Sequence, residues 1–176
     1  MVAKEALKKI VFFDRDGVIN IDNGYVSSPD RFEFTKGIFK LCIHLNIIGY
    51  ELVIVTNQSG IGRGLYSEKD FILLNSWMLS RLRGELINIL DVFFCPHHPG
   101  DHCICRKPAP GMFQEAIEKY SIDISKSWMI GDKESDIIAA ESIGIKNSVI
   151  FNKKISDSSA KHCVSSLEDI INIIKV

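Results

Sequence analysis

The sequence predicts an α/β protein with a doubly wound, Rossmann-like sheet of five mostly parallel strands and helices on both faces. Two observations carry this prediction. Short, continuous apolar runs are typical of strands that are buried on both faces. Longer helical patterns separate these runs, as the crossover connections of a parallel sheet require. The length of 176 residues suits one domain, expected over residues 1–176, and 46% hydrophobic with 24% charged residues is ordinary for a globular chain.

Strands and helices are expected to alternate along the chain. The predicted strands are residues 10–13, 52–55, 92–94, 128–130 and 148–151. The predicted helices are residues 37–46, 67–83, 110–120, 134–142 and 167–174. Ser67, with Asp70 three residues later, is a helix N-cap. Pro110 suits a first helical turn, and Gly144 suits the residue after a helix end.

Charge and hydropathy narrow the class of function. The formal net charge is −1, which argues against a surface built to bind nucleic acid or a membrane. No apolar run approaches the ~20 residues of a membrane span, and the first residues lack the apolar core of a signal peptide. We therefore expect a cytoplasmic monomer that acts on a small-molecule substrate, with no nucleic-acid or membrane partner.

Four polar residues each follow a predicted strand. They are Asp14, Thr56, Cys95 and Asp132. Because parallel sheets bind ligands beyond the carboxyl ends of their strands, we expect these side chains to converge on one edge of the sheet.

The segment from Asp14 to Gly17 places Asp14 and Asp16 two residues apart at a strand end. Two neighbouring carboxylates repel each other unless a proton or a cation relieves them, and Mg²⁺ prefers oxygen ligands. The alternative is a simple turn, since Asp and Gly both favour turns.

A polar loop follows the second strand. Its residues are Thr56-Asn57-Gln58-Ser59-Gly60, with further glycines at 62 and 64. A hydroxyl and closely approaching backbone N–H groups suit a phosphate, although such loops also serve only to turn the chain.

Arg106 and Lys107 precede Pro108. A lysine held beside a constrained turn can neutralise a phosphoryl oxygen, and an arginine can bind a second anion with its planar fork. The alternative is a pair of solvated surface charges.

The segment from Gly131 to Asp136 places Asp132 at a strand end and Asp136 one helical turn later. This spacing suits a metal ligand with a supporting acid. The alternative is that the carboxylates only complement the N-terminal dipole of a helix.

Three of the five cysteines crowd into residues 95–105. Cys95, Cys103 and Cys105, with one of His97, His98 and His102, supply the three thiolates and one imidazole of a tetrahedral zinc site. Such a closed site is structural, because it leaves no open position for a substrate.

Taken together, these motifs resemble the haloacid dehalogenase (HAD) superfamily of phosphotransferases. The superfamily orders an Asp-x-Asp pair, a strand-end Ser or Thr, a Lys and an acidic Gly-Asp-x-x-x-Asp, and residues 14–136 carry all four in that order. The stretches FDRDG, GYV, TNQSGIGRG, CPHHP, CICRKP and GDK are similar to one branch of it. That branch contains the heptose bisphosphate phosphatases and the related histidinol-phosphatases.

The resemblance implies roles for individual residues. Asp14 becomes the nucleophile and Asp16 the general acid and base, with Thr56 and Lys107 binding the phosphoryl oxygens. Asp14, Asp132 and the Asp16 carbonyl become the Mg²⁺ ligands, and His97 becomes the imidazole that joins the three cysteines on Zn²⁺. The implied substrate-binding residues are Arg15, Asp22, Asn23, Gly24, Tyr25, Asn57, Gln58, Ser59, Arg106 and Lys133.

The implied reaction is removal of the 7-phosphate from a heptose 1,7-bisphosphate on the way to lipopolysaccharide or surface glycans. Histidinol-phosphate hydrolysis and a non-enzymatic zinc-loop interaction module are the alternatives. A signalling receiver is disfavoured because Cys95 occupies the position of its phosphoacceptor, and a polynucleotide phosphatase would need a basic groove. The intervals from residue 16 to 56 and from 56 to 107 are too short for a separate cap domain, so we expect an open site.

Overall fold

The protein is described by a computed structural model over residues 6–151 and 158–175. Within these residues the strands are β1 (Ile10–Phe13), β2 (Glu51–Asn57), β3 (Ile89–Cys95), β4 (Trp128–Gly131), β5 (Asn147–Phe151) and β6 (His162–Val164). The helices are α1 (Ile38–Ile47), α2 (Ser59–Gly62), α3 (Glu68–Gly84), α4 (Gly111–Lys119), α5 (Glu134–Ser142) and α6 (Leu167–Ile173). Short 3₁₀ turns lie at Pro29–Arg31, Pro99–Asp101 and Ile124–Lys126. None of the described helices is long and apolar enough to cross a membrane.

The strands form one sheet in the order β3-β2-β1-β4-β5-β6, and every pair in it is parallel. The α/β class with a parallel sheet is therefore confirmed. The predicted number of five strands is wrong, because the described sheet has six. The missed strand, β6, has three residues at the sheet edge, and its central Cys163 is exposed. A strand this short and half-exposed has no continuous apolar run that a sequence pattern could reveal.

Alternate residues of the strands feed two hydrophobic cores. Val11 and Phe13 pack with residues of α1, α3 and α6, whereas Ile10 and Phe12 pack with residues of α4 and α5. All four side chains are completely buried. The period-two alternation of a strand thus covers both faces of the sheet with helices, as predicted.

The helix ends follow local chemistry. The capping box at Ser67 and Asp70 is present in both directions, with the Asp70 N–H donating to Ser67 Oγ and the Ser67 N–H to Asp70 Oδ2. α4 begins at Gly111, so Pro110 is its N-cap and not its first residue. α2 was not predicted, because its four residues lie inside the glycine-rich loop.

Strands β1 to β4 end together at the carboxyl edge of the sheet. The chain leaves this edge at Asp14, Asn57, Cys95 and Gly131, and the predicted convergence of these segments is confirmed by the parallel order of the strands. From β1 to β2 the chain holds a loop, one 3₁₀ turn and α1, so the edge is flanked by short segments.

Candidate active site

A cavity of about 480 Å³ opens at the carboxyl edge of the sheet. This volume lies within the ~300–1,000 Å³ of small-molecule sites. The predicted site residues that line it are Asp14, Asp16, Asp22, Gly24, Tyr25, Asn57, Gln58, Ser59, Arg106, Lys107 and Lys133. Tyr66, Pro108, Ser135 and Asp136 line it as well. Four distant stretches of the sequence therefore contribute to one pocket.

Asp14 lies at the inner end of the pocket, 5% exposed. Its backbone N–H donates to the Ile130 carbonyl at 3.0 Å, which extends the β1–β4 pairing by one residue. Its Oδ1 accepts the Arg15 N–H at 2.8 Å and contacts Lys107 Nζ at 3.0 Å. The carboxylate is thus held at a defined angle before any substrate arrives.

Lys107 is a fixed internal cation. Its ammonium contacts the Val55 carbonyl at 2.7 Å, Asp136 Oδ1 at 2.7 Å and Asp14 Oδ1 at 3.0 Å. Burial alone would lower the pKa of Lys107, but Asp136 and Asp14 hold it above the ordinary value. Asn57, predicted to bind substrate, clamps the Lys107 backbone with two hydrogen bonds of 3.0 Å, which fixes where this lysine begins.

Three carboxylates meet beside this lysine. Oxygen atoms of Asp14, Asp132 and Asp136 all lie within 4.8 Å of one another. Burial raises the pKa of Asp14 to about 8, and the charges of Asp136, Asp132 and Asp16 add to the rise while Lys107 opposes it. Burial likewise raises the pKa of Asp132 to about 6. Crowded, desolvated oxygen donors of this kind fit a hard cation such as Mg²⁺.

Asp136 also organises the loop between β4 and α5. Its Oδ2 accepts the N–H groups of Asp132 and Lys133 at 3.2 and 3.1 Å. Its other oxygen is engaged by Lys107, so Asp136 joins this loop to the internal cation. The side chain of Asp16 does not belong to the group of three carboxylates, and the resemblance assigned only its carbonyl to the metal.

The Asp16 carboxylate is surrounded by donors. Arg15 Nη2 lies 3.0 and 2.9 Å from its two oxygens, Asn20 Nδ2 donates to Oδ1 at 3.0 Å, and Gln58 Nε2 donates to Oδ2 at 2.9 Å. Asn20 was not predicted. Its contact with Asp16 depends on the loop turning back on itself, which the N–H bonds of residues 18–20 to the Arg15 carbonyl produce.

Arg15 is placed differently from its predicted role at the substrate. It is 1% exposed and absent from the lining of the pocket, and its guanidinium lies 5.5 Å from the Phe71 ring. Besides Asp16, its Nη2 donates to the Val26 carbonyl at 2.9 Å. This geometry suits a residue that holds the loop after β1.

Thr56 and Gln58 meet directly. Thr56 is completely buried, and its Oγ1 accepts a hydrogen bond of 2.8 Å from Gln58 Nε2. Gln58 Oε1 accepts a hydrogen bond of 2.6 Å from the Tyr66 hydroxyl. Burial raises the pKa of Tyr66 to about 12, so this phenol keeps its proton at neutral pH. Nothing in the sequence singled out Tyr66.

The mouth of the pocket carries both charge signs. Lys133 Nζ lies 3.4 Å from Asp22 and 3.6 Å from Asp132. Arg106 contributes a buried Nη1 that makes no hydrogen bond within the described part of the chain. Asn23 lies outside the pocket lining, and its carbonyl accepts from Arg31 at 3.0 Å.

The cysteine and histidine donors also come together. Cys95 Sγ lies 2.9 Å from Cys105 Sγ and 3.5 Å from Cys103 Sγ, and His97 Nδ1 lies 3.1 Å from Cys105 Sγ. His98 instead caps the 3₁₀ turn Pro99–Asp101 by accepting the Gly100 N–H at 3.0 Å. Burial, together with the neighbouring thiols, raises the pKa of Cys105, so the ionised thiolates need a cation.

This cluster is docked against the active-site loop. The Gln58 N–H donates to the Cys95 carbonyl, and the Gly62 N–H donates to the Pro96 carbonyl, both at 2.8 Å. A Cβ atom at Gly62 would lie 2.9 Å from the Pro96 oxygen, so the close approach requires glycine. Backbone hydrogen bonds therefore join the loop that lines the pocket to the loop that carries the cluster, and we call this contact the seam.

Comparison with known proteins gives the family context. A family model described as HAD-hydrolase-like matches residues 104–165. A D-glycero-β-D-manno-heptose-1,7-bisphosphate 7-phosphatase of Helicobacter pylori is 43% identical over 170 residues, which cover 95% of this chain and 98% of the relative. The α-anomer 7-phosphatase of Photorhabdus laumondii is 46% identical over 144 residues, covering 78% of this chain and 79% of the relative.

A solved structure agrees. The D,D-heptose 1,7-bisphosphate phosphatase from B. bronchiseptica, crystallised with magnesium and phosphate, superposes with a TM-score of 0.85 at 28% identity. The alignment covers 94% of this chain and 97% of that protein. The resemblance drawn from the sequence motifs is thereby confirmed.

Proposed function

This chain belongs to the heptose bisphosphate phosphatase family of HAD-like hydrolases, and on that premise we propose that it removes the 7-phosphate of D-glycero-D-manno-heptose 1,7-bisphosphate through an aspartyl-phosphate. The observation that supports this proposal best is the Asp14 carboxylate, fixed by Lys107 at the inner end of an accessible pocket. A nucleophile needs this combination of fixed geometry and access.

In the first step, an Asp14 carboxylate oxygen attacks phosphorus and the bond from phosphorus to the sugar oxygen breaks. Asp16, protonated, gives its proton to the departing oxygen, which leaves as the sugar hydroxyl. Lys107 and the Thr56 hydroxyl stabilise charge on the phosphoryl oxygens.

In the second step, Asp16, now a carboxylate, takes a proton from a water molecule that attacks the aspartyl-phosphate. The bond from phosphorus to Asp14 breaks, and inorganic phosphate leaves. Asp14 returns as a carboxylate and Asp16 as the acid, so the cycle is balanced in protons.

The three crowded carboxylates support a Mg²⁺ site. Asp14 and Asp132 would hold the ion together with the Asp16 carbonyl, while Asp136 is occupied by Lys107 and two backbone N–H groups. When bound, Mg²⁺ supplies positive charge that neutralises phosphoryl oxygens.

The charges at the mouth support a substrate with a second anionic group. Arg106 offers a buried N–H group without a protein partner among the described residues, and Lys133 lies on the same pocket, 54% exposed. We place the remaining phosphate of the bisphosphate against these two residues, with Asp22, Gly24 and Tyr25 beside the sugar.

The cysteine and histidine cluster supports a structural Zn²⁺. Cys95, His97, Cys103 and Cys105 offer one donor atom each within 4.8 Å of one another, and they complete a tetrahedral set. The ion would brace the segment that continues directly into Arg106 and Lys107. We propose that the whole enzyme works in the cytoplasm as a monomer, without nucleic-acid or membrane partners.

The test compares kcat/KM for the α- and β-anomers of heptose 1,7-bisphosphate, fructose 1,6-bisphosphate and histidinol phosphate. We expect one heptose anomer to be preferred by at least about 10²-fold over fructose 1,6-bisphosphate and histidinol phosphate, since a site built to hydrogen-bond one substrate leaves buried polar groups unpaired when a different one binds. Phosphorus NMR should show that only the 7-phosphate is released. A preference for histidinol phosphate would replace the substrate, and no turnover of any ester would favour an interaction module.

A further inference from the structure

Both donor hydrogens of the Gln58 amide are used by contacts within the protein. One N–H of its amide donates to Asp16 Oδ2 at 2.9 Å, the other to Thr56 Oγ1 at 2.8 Å, and its oxygen accepts from Tyr66 at 2.6 Å. The residue is 2% exposed. A primary amide has two donor hydrogens, and both are used here, so none remains for a substrate.

The orientation of this amide follows from its neighbours. If the amide were flipped while Asp16 is ionised, its oxygen would face the Asp16 carboxylate oxygen, and two acceptors would repel at hydrogen-bond distance. The Tyr66 hydroxyl favours the observed orientation, because it keeps its proton and donates it to the amide oxygen. Asp16 and Tyr66 together favour the orientation in which the amide nitrogen faces Asp16.

The contact with Thr56 has a directional consequence. A hydroxyl that accepts from Gln58 through one lone pair still carries its own hydrogen, which must point away from the donor. Thr56 is completely buried at the end of β2 and is itself absent from the pocket lining, but its neighbour Asn57 lines the pocket. We therefore infer that a phosphoryl group bound there is the partner of this hydrogen. Gln58 therefore prepares Thr56 to donate.

Tyr66 is seated by packing as well as by its bond. A Cβ atom at Gly60 would lie 2.7 Å from the Tyr66 Cζ and 3.0 Å from a Tyr25 ring carbon. The ring rests on the glycine backbone of α2, where no other residue leaves room. The glycine-rich loop therefore holds the tyrosine and the amide in one arrangement.

We propose that Gln58, oriented by Tyr66, is a positioning residue that aims the Asp16 carboxyl at the leaving oxygen and the Thr56 hydroxyl at the phosphoryl group. This inference rests on the proposed function. It differs from a substrate-binding role for Gln58, because it assigns the effect of the residue to proton transfer by Asp16.

The experiment uses two esters of similar shape, benzyl phosphate and 4-nitrophenyl phosphate, with the Mg²⁺-supplemented full-length protein. The alkoxide from the first needs a proton on departure, whereas the nitrophenolate from the second does not. The parameter kcat/KM reports the first chemical step, so the second use of Asp16 does not enter it. Loss of aim at Asp16 lowers only the benzyl rate, whereas loss of a binding contact or of Thr56 lowers both.

For Gln58→Glu, we expect kcat/KM to fall about 10²-fold for benzyl phosphate and less than about tenfold for 4-nitrophenyl phosphate, given the usual share of general acid catalysis. For Tyr66→Phe, we expect kcat/KM to fall about tenfold for benzyl phosphate and about twofold for 4-nitrophenyl phosphate, because one hydrogen bond is removed without adding charge. Asp16→Asn calibrates the largest ratio between the two esters. Tyr120→Phe, which removes a hydroxyl bonded to Asp91 outside the pocket, should change neither ester.

Equal losses for both esters in Gln58→Glu and Tyr66→Phe would overturn the proposal and return Gln58 to substrate binding. If Gln58→Glu does not fold, judged by its thermal melt, the ratio in Tyr66→Phe decides alone. A wild-type protein that hydrolyses neither these two esters nor heptose 1,7-bisphosphate overturns the proposed function, whereas an active protein with uniform losses overturns only the positioning role. Uniform losses in Asp16→Asn would overturn the general-acid role of Asp16 and, with it, the positioning role of Gln58.

Discussion

The carboxylate centre and the cysteine–histidine cluster lie at the same sheet edge, and both gather groups that repel one another when ionised. The carboxylate centre, formed by Asp14, Asp132 and Asp136, contains a protein cation, since Lys107 touches two of its members. The cluster is built from donors that contact mainly one another. The first centre also opens into a pocket through Asp14.

This difference suits the carboxylate centre to a reaction and the cysteine–histidine cluster to holding a loop in place. A centre that exchanges substrate and product needs a permanent positive charge from the protein. That charge offsets part of the carboxylate repulsion each time phosphate leaves. The proposed structural zinc site has no such requirement, and its four donors would close around a single ion. The two centres should therefore respond differently to loss of one ligand: the first mainly in activity, the second mainly in stability.

The largest expected effect is on activity, from Asp14→Asn. This change should lower kcat by about 10⁴-fold or more, because the nucleophile is lost while the pocket is kept. The thermal midpoint should shift little. Phosphate release from the best substrate measures kcat. Mass spectrometry should show no phosphoryl adduct on the acid-quenched protein.

Asp169→Asn, an exposed carboxyl on α6, is the matched control and should leave kcat unchanged. Mass spectrometry must also exclude deamidation of the introduced asparagine back to aspartate. Substantial turnover in a verified Asp14→Asn protein would remove the covalent mechanism.

The second effect is on stability, from Cys105→Ser. Zinc content should fall from about one per chain to near zero, and the free energy of unfolding should fall by several kcal/mol, because metal binding is coupled to the order of the loop. Activity should also fall, since the loop carries Arg106 and Lys107. Elemental analysis and urea unfolding measure the two quantities.

Cys163→Ser is the matched control, because Cys163 is exposed on the edge strand β6. It should retain zinc and full stability. Freshly purified wild-type protein without zinc would contradict the structural-zinc proposal, whatever the behaviour of the variants.

The sequence predicted the two centres better than their surroundings. Strand-end carboxylates and closely spaced cysteines are visible as residue types at fixed spacings, and the parallel sheet then brings them together. The roles of Arg15 and Gln58 were not visible, because they depend on which polar atoms a folded loop turns toward each other. Tyr66 and Asn20 belong to the same class of contact, and β6 was missed because three edge residues carry no periodic pattern.

The third prediction concerns pH. It tests whether ionisation of the carboxylate centre destabilises the folded protein. The pKa of Asp14 is about 8 and that of Asp132 about 6 in the folded metal-free protein, both above the ordinary 3.8. Between pH 3.8 and about 8 the folded state holds more protons than the unfolded state. The free energy of unfolding should therefore fall as pH rises through this window. Mg²⁺ binds the ionised form, so its stabilisation should grow over the same window.

Thermal melts with and without Mg²⁺ at roughly pH 5 and pH 8 measure this, and the gain from Mg²⁺ should be larger at the higher pH by several degrees. Mg²⁺ must be removed by desalting, since a chelator would also strip zinc from the cluster. Asp132→Asn should lose most of the gain. An equal gain at both pH values would show that the carboxylates are already ionised without the metal.

The smallest effect concerns the seam between the two centres. In Gly62→Ala the new methyl group would meet the Pro96 carbonyl and the His98 backbone, which would push the cluster loop away from α2. We expect a loss of about 1–2 kcal/mol in unfolding free energy, as for other overpacked sites. Gly84→Ala, where nothing lies within 4 Å of the new methyl group, should instead stabilise α3 by up to about 1 kcal/mol.

If Gly62→Ala lowers kcat/KM while zinc content stays at about one per chain, the bracing of Lys107 depends on the seam as well as on the ion. A Gly62→Ala protein as stable and active as Gly84→Ala would mean that the two centres share an edge of the sheet without being mechanically linked.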